Sequence, residues 1–218
     1  MKIATNILAV IFLTLSGVIY SQNKDNAIML LDDVNEKIDK YTSLKLEFTM
    51  FVENGQNGER FPYPGNAIYK DGNYKLDMMG QIIFSDGKTN WTYLKDIDEV
   101  NITNNSSNEE ILSNPKNIFK NYKEDFKVTQ ISDKFEKNRP LVEIDLYPKK
   151  IEDKKYSRIT LKVDKTKKQI YSIRYIGKDG ISYLIELNKF IENPAIENNE
   201  INYNDNLFPD AEIVDMRD

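Results

Sequence analysis

Two Ser-x-x-Lys spacings, Ser85 with Lys88 and Ser113 with Lys116, are the arrangement in which a lysine can relieve a serine nucleophile of its proton. The first straddles Asp86-Gly87, a dipeptide suited to a tight hairpin. Neither is accompanied by Ser-Asp-Asn or Lys-Thr-Gly, so turn formation accounts for the match. There is no Gly-x-Ser-x-Gly elbow, and the chain contains no histidine, the usual base, the usual zinc ligand and the one side chain that titrates unperturbed near neutrality. Cysteine is absent too, which removes thiolate chemistry and disulfides. Asp32, Asp33 and Glu36 offer the paired carboxylates that glycoside hydrolysis needs. On a helix they fall on its polar face near the N-terminus, where acidic groups favour the helix dipole and solubility. Asp96-Ile97-Asp98 opens like a calcium loop, yet the fifth position is Val100 and the required glycine is Asn101. The residue types point to a protein that is not an enzyme and holds no metal or cofactor.

The elements that would position any site are easier to read. Ala27, Leu31, Val34, Ile38 and Tyr41 recur at spacings of four and three, one face of an amphipathic helix. The period then drops to two, with Leu44, Leu46, Phe48, Met50 and Val52 alternating with more polar neighbours in a half-buried strand. Short β-like runs follow at 67–70, 74–79, 82–85, 91–94 and 100–103, separated by turns such as Asp71-Gly72 and Asp86-Gly87. The stretch from Ser106 to Tyr122 interrupts this pattern. Its residues predict a short helix at Glu109–Leu112 and a second starting at an Asn114-Pro115 cap, with Ile118, Phe119 and Tyr122 expected on one face. Strands resume at 127–131, 141–147, 157–163, 169–176 and 181–190, and the tail contributes little regular structure. Ten or eleven strands with few helices and no βαβ alternation predict one large curved antiparallel sheet with helices on one face, enclosing a concave apolar cavity.

Residues 1–21 combine Lys2, an apolar run from Ile7 to Leu15 and a small residue, Ser21, before Gln22, the pattern of a cleavable signal peptide. The run is too short to span a bilayer as a helix of about 20 residues. Its removal leaves one domain, 22–218, and takes the net charge from −5 to −6, which argues against a nucleic-acid partner. The lysine clusters Lys149-Lys150, Lys154-Lys155 and Lys165–Lys168 sit in or beside turns, where they are expected to be solvated and to blunt sheet edges. Phe48, Met50, Tyr74, Leu76, Met78, Trp91 and Tyr93 lie on neighbouring strands and are expected to share one face. They suit either an ordinary core or a pocket whose flexible thioethers and flat rings repack around varied apolar ligands.

The run Ile82-Ile83-Phe84-Ser85-Asp86-Gly87-Lys88-Thr89-Asn90-Trp91-Thr92-Tyr93, followed by Glu99-Val100, resembles the LolA-type outer-membrane lipoprotein carriers. The opening helix, the Asn114-Pro115 helix, the Leu146-Tyr147-Pro148-Lys149 strand end, the Ser157–Asp164 strand and Asp179-Gly180 follow in that family's order, over roughly Asp25 to Met216. The resemblance implies an unclosed β-barrel covered by about three helices, a monomer in the periplasm, and a cavity for lipoprotein acyl chains. Its partners would be lipoproteins, an inner-membrane ATP-driven release complex and an outer-membrane acceptor. The same fold serves envelope regulators that sense lipids, which stands as the alternative, with a secreted carboxylate hydrolase behind it. The expected cavity residues are Leu46, Phe48, Met50, Tyr74, Leu76, Met78, Trp91, Tyr93, Ile144 and Leu146. The expected lid residues are Leu31, Val34, Ile38, Ile118 and Phe119. Where the family places an arginine and a proline that latch the lid, this chain has Lys70 and Asp71. Lysine lacks the planar five-donor fork of arginine, so Lys70 carries the latch role over in altered form.

Overall fold

The computed structural model describes residues 24–105, 122–152 and 154–217. Helix α1 spans 24–39 and buries Ala27, Leu31 and Val34, the apolar stripe of its sequence. It leads into β1 (Ser43–Asn54), and the meander continues through β2 (Arg60–Lys70), β3 (Asn73–Met78), β4 (Gln81–Ser85), β5 (Thr89–Leu94) and β6 (Glu99–Asn104). The second half comprises α2 (Tyr122–Asp125), β7 (Phe126–Glu136), β8 (Arg139–Pro148), β9 (Tyr156–Asp164), β10 (Gln169–Gly177) and β11 (Ile181–Glu192). A tail with α3 (Asn198–Ile201) and β12 (Glu212–Asp215) closes the chain. The predicted helices at Glu109–Leu112 and after Asn114-Pro115 lie outside the described residues.

All twelve strands form one sheet in the order β12-β6-β5-β4-β3-β2-β1-β11-β10-β9-β8-β7. The chain therefore runs outward from β1 to β6, crosses to the far edge at β7, and returns to pair β11 with β1. The edges β12 and β7 do not meet, so the barrel is unclosed. Bulges at Glu47/Phe48, Gln130/Ser132 and Ile170/Ser172 add local twist, and so large a sheet must curl. The predicted strands are all present. The twelfth comes from the tail, where little regular structure is expected from sequence: β12 is four residues long and pairs with β6 in parallel, a contact that no local pattern encodes.

The turns follow from local chemistry. Asp71 (φ 50°) and Gly72 (φ 92°) make a two-residue hairpin between the partners Lys70 and Asn73. In the four-residue β4–β5 turn between the partners Ser85 and Asn90 the Asp86 carboxylate accepts the backbone N–H groups of Lys88 and Thr89 at 2.8 and 2.7 Å. Ser85 is buried and its hydroxyl oxygen accepts the N–H of Gly87 at 3.2 Å, so the first Ser-x-x-Lys spacing is a turn motif. The second, at Ser113 and Lys116, lies outside the described residues.

Candidate functional site

Strand alternation sends one row of side chains from each strand to the concave face, and register carries each row across the sheet. Leu46 pairs with Ala67, Ala67 with Leu76 and Leu76 with Ile83. On the other side Met50 pairs with Ile185 and Ile185 with Ile173. Where α1 crosses this face it leaves an apolar cavity of about 90 Å³. Of the predicted residues, Leu46, Phe48, Met50, Leu76 and Met78 line its floor, and Val34 and Ile38 of α1 line its roof. Further lining comes from Leu44, Ala67, Ile170, Ile173, Ile185 and Leu187, which sequence reasoning placed in strands but not at the site. The period-two alternation of Ile173 with Tyr175, and of Ile185 with Leu187, was the available signal. Lys168 and Gln169 add the cavity's polar border.

The remaining predicted residues divide three ways. Tyr74, Ile144, Leu146 and Leu31 are buried in the same core cluster without lining the cavity; Ile144 and Leu146 are completely covered. Ile118 and Phe119 lie outside the described residues. Trp91, Tyr93 and Lys70 require correction, because the register turns all three to the opposite face. Leu76 faces Ile83, and Ile83 faces Thr92, so Thr92 rather than Trp91 continues the inward row. Phe84, Trp91 and Ile102 form a row on the convex side. The tail covers it there: Tyr203 stacks on Trp91 with ring centroids 5.5 Å apart, and Phe208 stacks on Tyr93 at 3.7 Å. Lys70 likewise sends its ammonium to the carbonyl of Ile196 in this tail, at 2.7 Å, instead of to α1.

The contacts that hold α1 are made by other residues. Asp32 lies 2.7 Å from the Lys123 ammonium and accepts the Tyr122 hydroxyl at 3.0 Å. Asp33 pairs with Lys168 at 2.9 Å. Near the helix C-terminus Lys37 pairs with Glu192 at 2.7 Å, and the Tyr41 hydroxyl donates to the same carboxylate at 2.9 Å. The Lys37 ammonium, foremost, holds the Glu192 carboxyl below the usual carboxylate range. Burial, assisted by Asp32, pushes the Tyr122 hydroxyl well above the usual tyrosine range, and burial with Glu192 does the same for Tyr41. Thus Asp32, Asp33 and part of the Lys165–Lys168 cluster, read from sequence as solvated surface, connect α1 to α2 and to the β9–β10 turn. Side chains on four elements had to converge for this, and sequence spacing does not report such convergence.

Among the described residues no three His, Cys, Asp or Glu side chains gather to hold a metal ion, and no helix is long and apolar enough to cross a membrane. Asp98 instead accepts the Tyr93 hydroxyl at 2.9 Å. The site is an apolar cleft under a helix held by polar contacts along its borders. It can shelter hydrocarbon.

No curated protein matches the chain. Among solved structures, it is similar to an uncharacterized conserved protein from Thermus thermophilus, with 10% identity, a TM-score of 0.57, and coverage of 87% of this chain and 99% of that one. That likeness shows a shared fold. LprF from Mycobacterium bovis aligns with 13% identity and a TM-score of 0.47, covering 80% of this chain and 97% of that one. A LolA superfamily protein from Nitrosomonas europaea aligns with 10% identity and a TM-score of 0.42, covering 81% and 97%. The family model described as outer membrane lipoprotein carrier protein LolA matches residues 75–203, more than half of the chain. On that match, this chain belongs to the LolA family.

Proposed function

We propose that residues 1–21 are removed on export and that residues 22–218 act as a periplasmic carrier, holding lipoprotein acyl chains between α1 and the concave face of the sheet. The observation that carries this reading is the apolar cavity beneath a helix fastened by half-exposed polar pairs. Each methylene hidden from water is worth about 0.8 kcal/mol, so a long acyl chain crosses an aqueous compartment only inside such a shelter. At about 90 Å³ the cavity is smaller than one that admits a single benzene, roughly 150 Å³, so loading requires α1 to move. The chain would receive its cargo from an inner-membrane ATP-driven release complex and yield it to an outer-membrane acceptor as a monomer, with no catalytic step and no cofactor.

Native mass spectrometry of the processed protein with a triacylated lipopeptide tests this directly. A one-to-one complex is expected, and Phe48→Asp should abolish it at a temperature where circular dichroism shows the variant still folded, its unfolding midpoint being lowered by the buried carboxyl. Free protein alone would remove the physical basis of carriage. A complex that never passes its lipopeptide to acceptor vesicles would instead favour an envelope lipid sensor of the same fold.

A further inference from the structure

The two ends of the strands are finished differently. At one end the described connections are polar: Asp71-Gly72, Asp86-Gly87-Lys88, Lys137-Asn138 and Lys165–Lys168. At the other, three connections project large aliphatic side chains into water: Met79 between β3 and β4 (50% exposed), Ile97 between β5 and β6 (62%) and Ile151 between β8 and β9 (41%). Met79 also occupies the left-handed region, at φ 53°, where glycine or asparagine is favoured. Backbone preference and hydration both oppose a methionine there. Neither local structure nor core packing explains the residue.

Five connections lie at this end, the β1–β2 and β10–β11 turns being polar, and hydrogen bonds join neighbouring ones into a rim. The Lys95 N–H donates to the carbonyl of Gly80 at 3.0 Å, Gly55 N–H to Gly180 at 3.0 Å, and Lys178 N–H to Lys155 at 3.1 Å. Ile151 is flanked by Lys149, Lys150, Lys154 and Lys155, all exposed. Among the described residues these four are in no ion pair with a carboxylate, whereas Lys123, Lys162, Lys165 and Lys168 all are. Glu152 and Asp153 belong to the same loop, so in a chain of net charge −5 its residues 149–155 carry a net charge of +2 around an apolar tip. Asp96 and Asp98 border Ile97, so the attraction to an anionic surface falls on the Ile151 side, while Met79 and Ile97 supply apolar contact. The tips belong to turns spread along one end of the sheet, and so extended a set of separate apolar contacts suits a lipid surface.

We infer that this rim docks on a membrane surface rich in anionic lipid headgroups, its three aliphatic tips in the headgroup–acyl boundary and the lysines around Ile151 among the headgroup charges. The inference is independent of the cavity, because the rim lies at turns and not beneath α1.

Co-sedimentation of the processed protein with vesicles tests it, comparing phosphatidylcholine alone with phosphatidylcholine containing phosphatidylglycerol, at low and high salt. Binding to the anionic vesicles is expected to be on the order of tenfold stronger or more, and to weaken with salt. The variant Met79→Asn, Ile97→Ser, Ile151→Ser should lose about tenfold of that binding. Changing the four lysines to glutamine should reduce it to the phosphatidylcholine level. Both variants should keep the parent's unfolding midpoint and its lipopeptide complex, which separates failure of the rim from failure of the carrier reading. Equal binding to the two vesicle types at low salt, or a triple variant that binds like the parent, overturns the inference. So does absence of vesicle binding combined with lysine-dependent capture of an acidic protein, which would assign the rim to a protein partner.

Discussion

Phe48 occupies the space that a side chain at Gly65 would need: a Cβ there would fall 2.4 Å from Cζ and 2.6 Å from Cε2 of the ring. The two are register partners across β1 and β2, and Phe48 lines the cavity. Gly65→Ala therefore pushes the ring into the cavity. The expected cost is about 1–3 kcal/mol of stability, as for other overpacked cores, together with weaker lipopeptide binding. Thermal unfolding and a binding titration would measure the two effects, and adding Phe48→Leu should restore both. An alanine variant with unchanged binding would mean that the ring does not shape the cavity.

The pairs Asp32–Lys123 and Asp33–Lys168 are about half exposed, so each contributes within the usual surface range of about 0–1 kcal/mol. Changing both aspartates to asparagine should leave the global unfolding midpoint nearly unmoved. Hydrogen exchange of the α1 amides should nevertheless accelerate several-fold while that of β8–β10 stays constant, because only the helix's local opening is affected. Uniform acceleration across the sheet would contradict a specific hold on the helix.

The same hold predicts a pH dependence. Glu192 titrates below its ordinary value of 4.5, so its contribution is present above that value and is lost as pH falls through the depressed one. Tyr122 and Tyr41 titrate above their ordinary 10, so theirs is present below 10 and is lost as pH rises beyond it. Docking of α1, followed by exchange or by lipopeptide retention, should be flat between these limits and weaken outside them. Glu192→Gln should soften the acid limb specifically.

Trp91, the single tryptophan, lies against Tyr203 on the convex face, away from the cavity. Its emission should remain unchanged when a lipopeptide binds, whereas Tyr203→Ala should shift it to the red by exposing the indole. A shift on lipopeptide binding would place Trp91, or the ligand, elsewhere.

Register explains most of what could and could not be read in advance. Lys70 and Trp91 sit on strands found where their patterns predicted, yet each points away from the helix because a side chain's face depends on its partner across the turn. Leu46, Phe48 and Met50 were legible because β1 itself alternates so regularly that its inward row needs no partner to identify it. Neither the tail's cover over Trp91 and Tyr93 nor the clamp of Asp32, Asp33 and Glu192 on α1 has a local signature. Their members are separated by 90 residues for Asp32 with Tyr122, and by 151 for Tyr41 with Glu192.

The sequence alone determined the amphipathic α1, the succession of short antiparallel strands and the absence of histidine and cysteine chemistry, since periodicity, turn residues and composition are properties of neighbouring positions. Only the tertiary structure decided which face each side chain meets, how the tail and α1 are fastened and where the cavity lies. Those depend on cross-strand register and on contacts between distant segments, which form when the sheet curls and carry no short-range imprint in the chain.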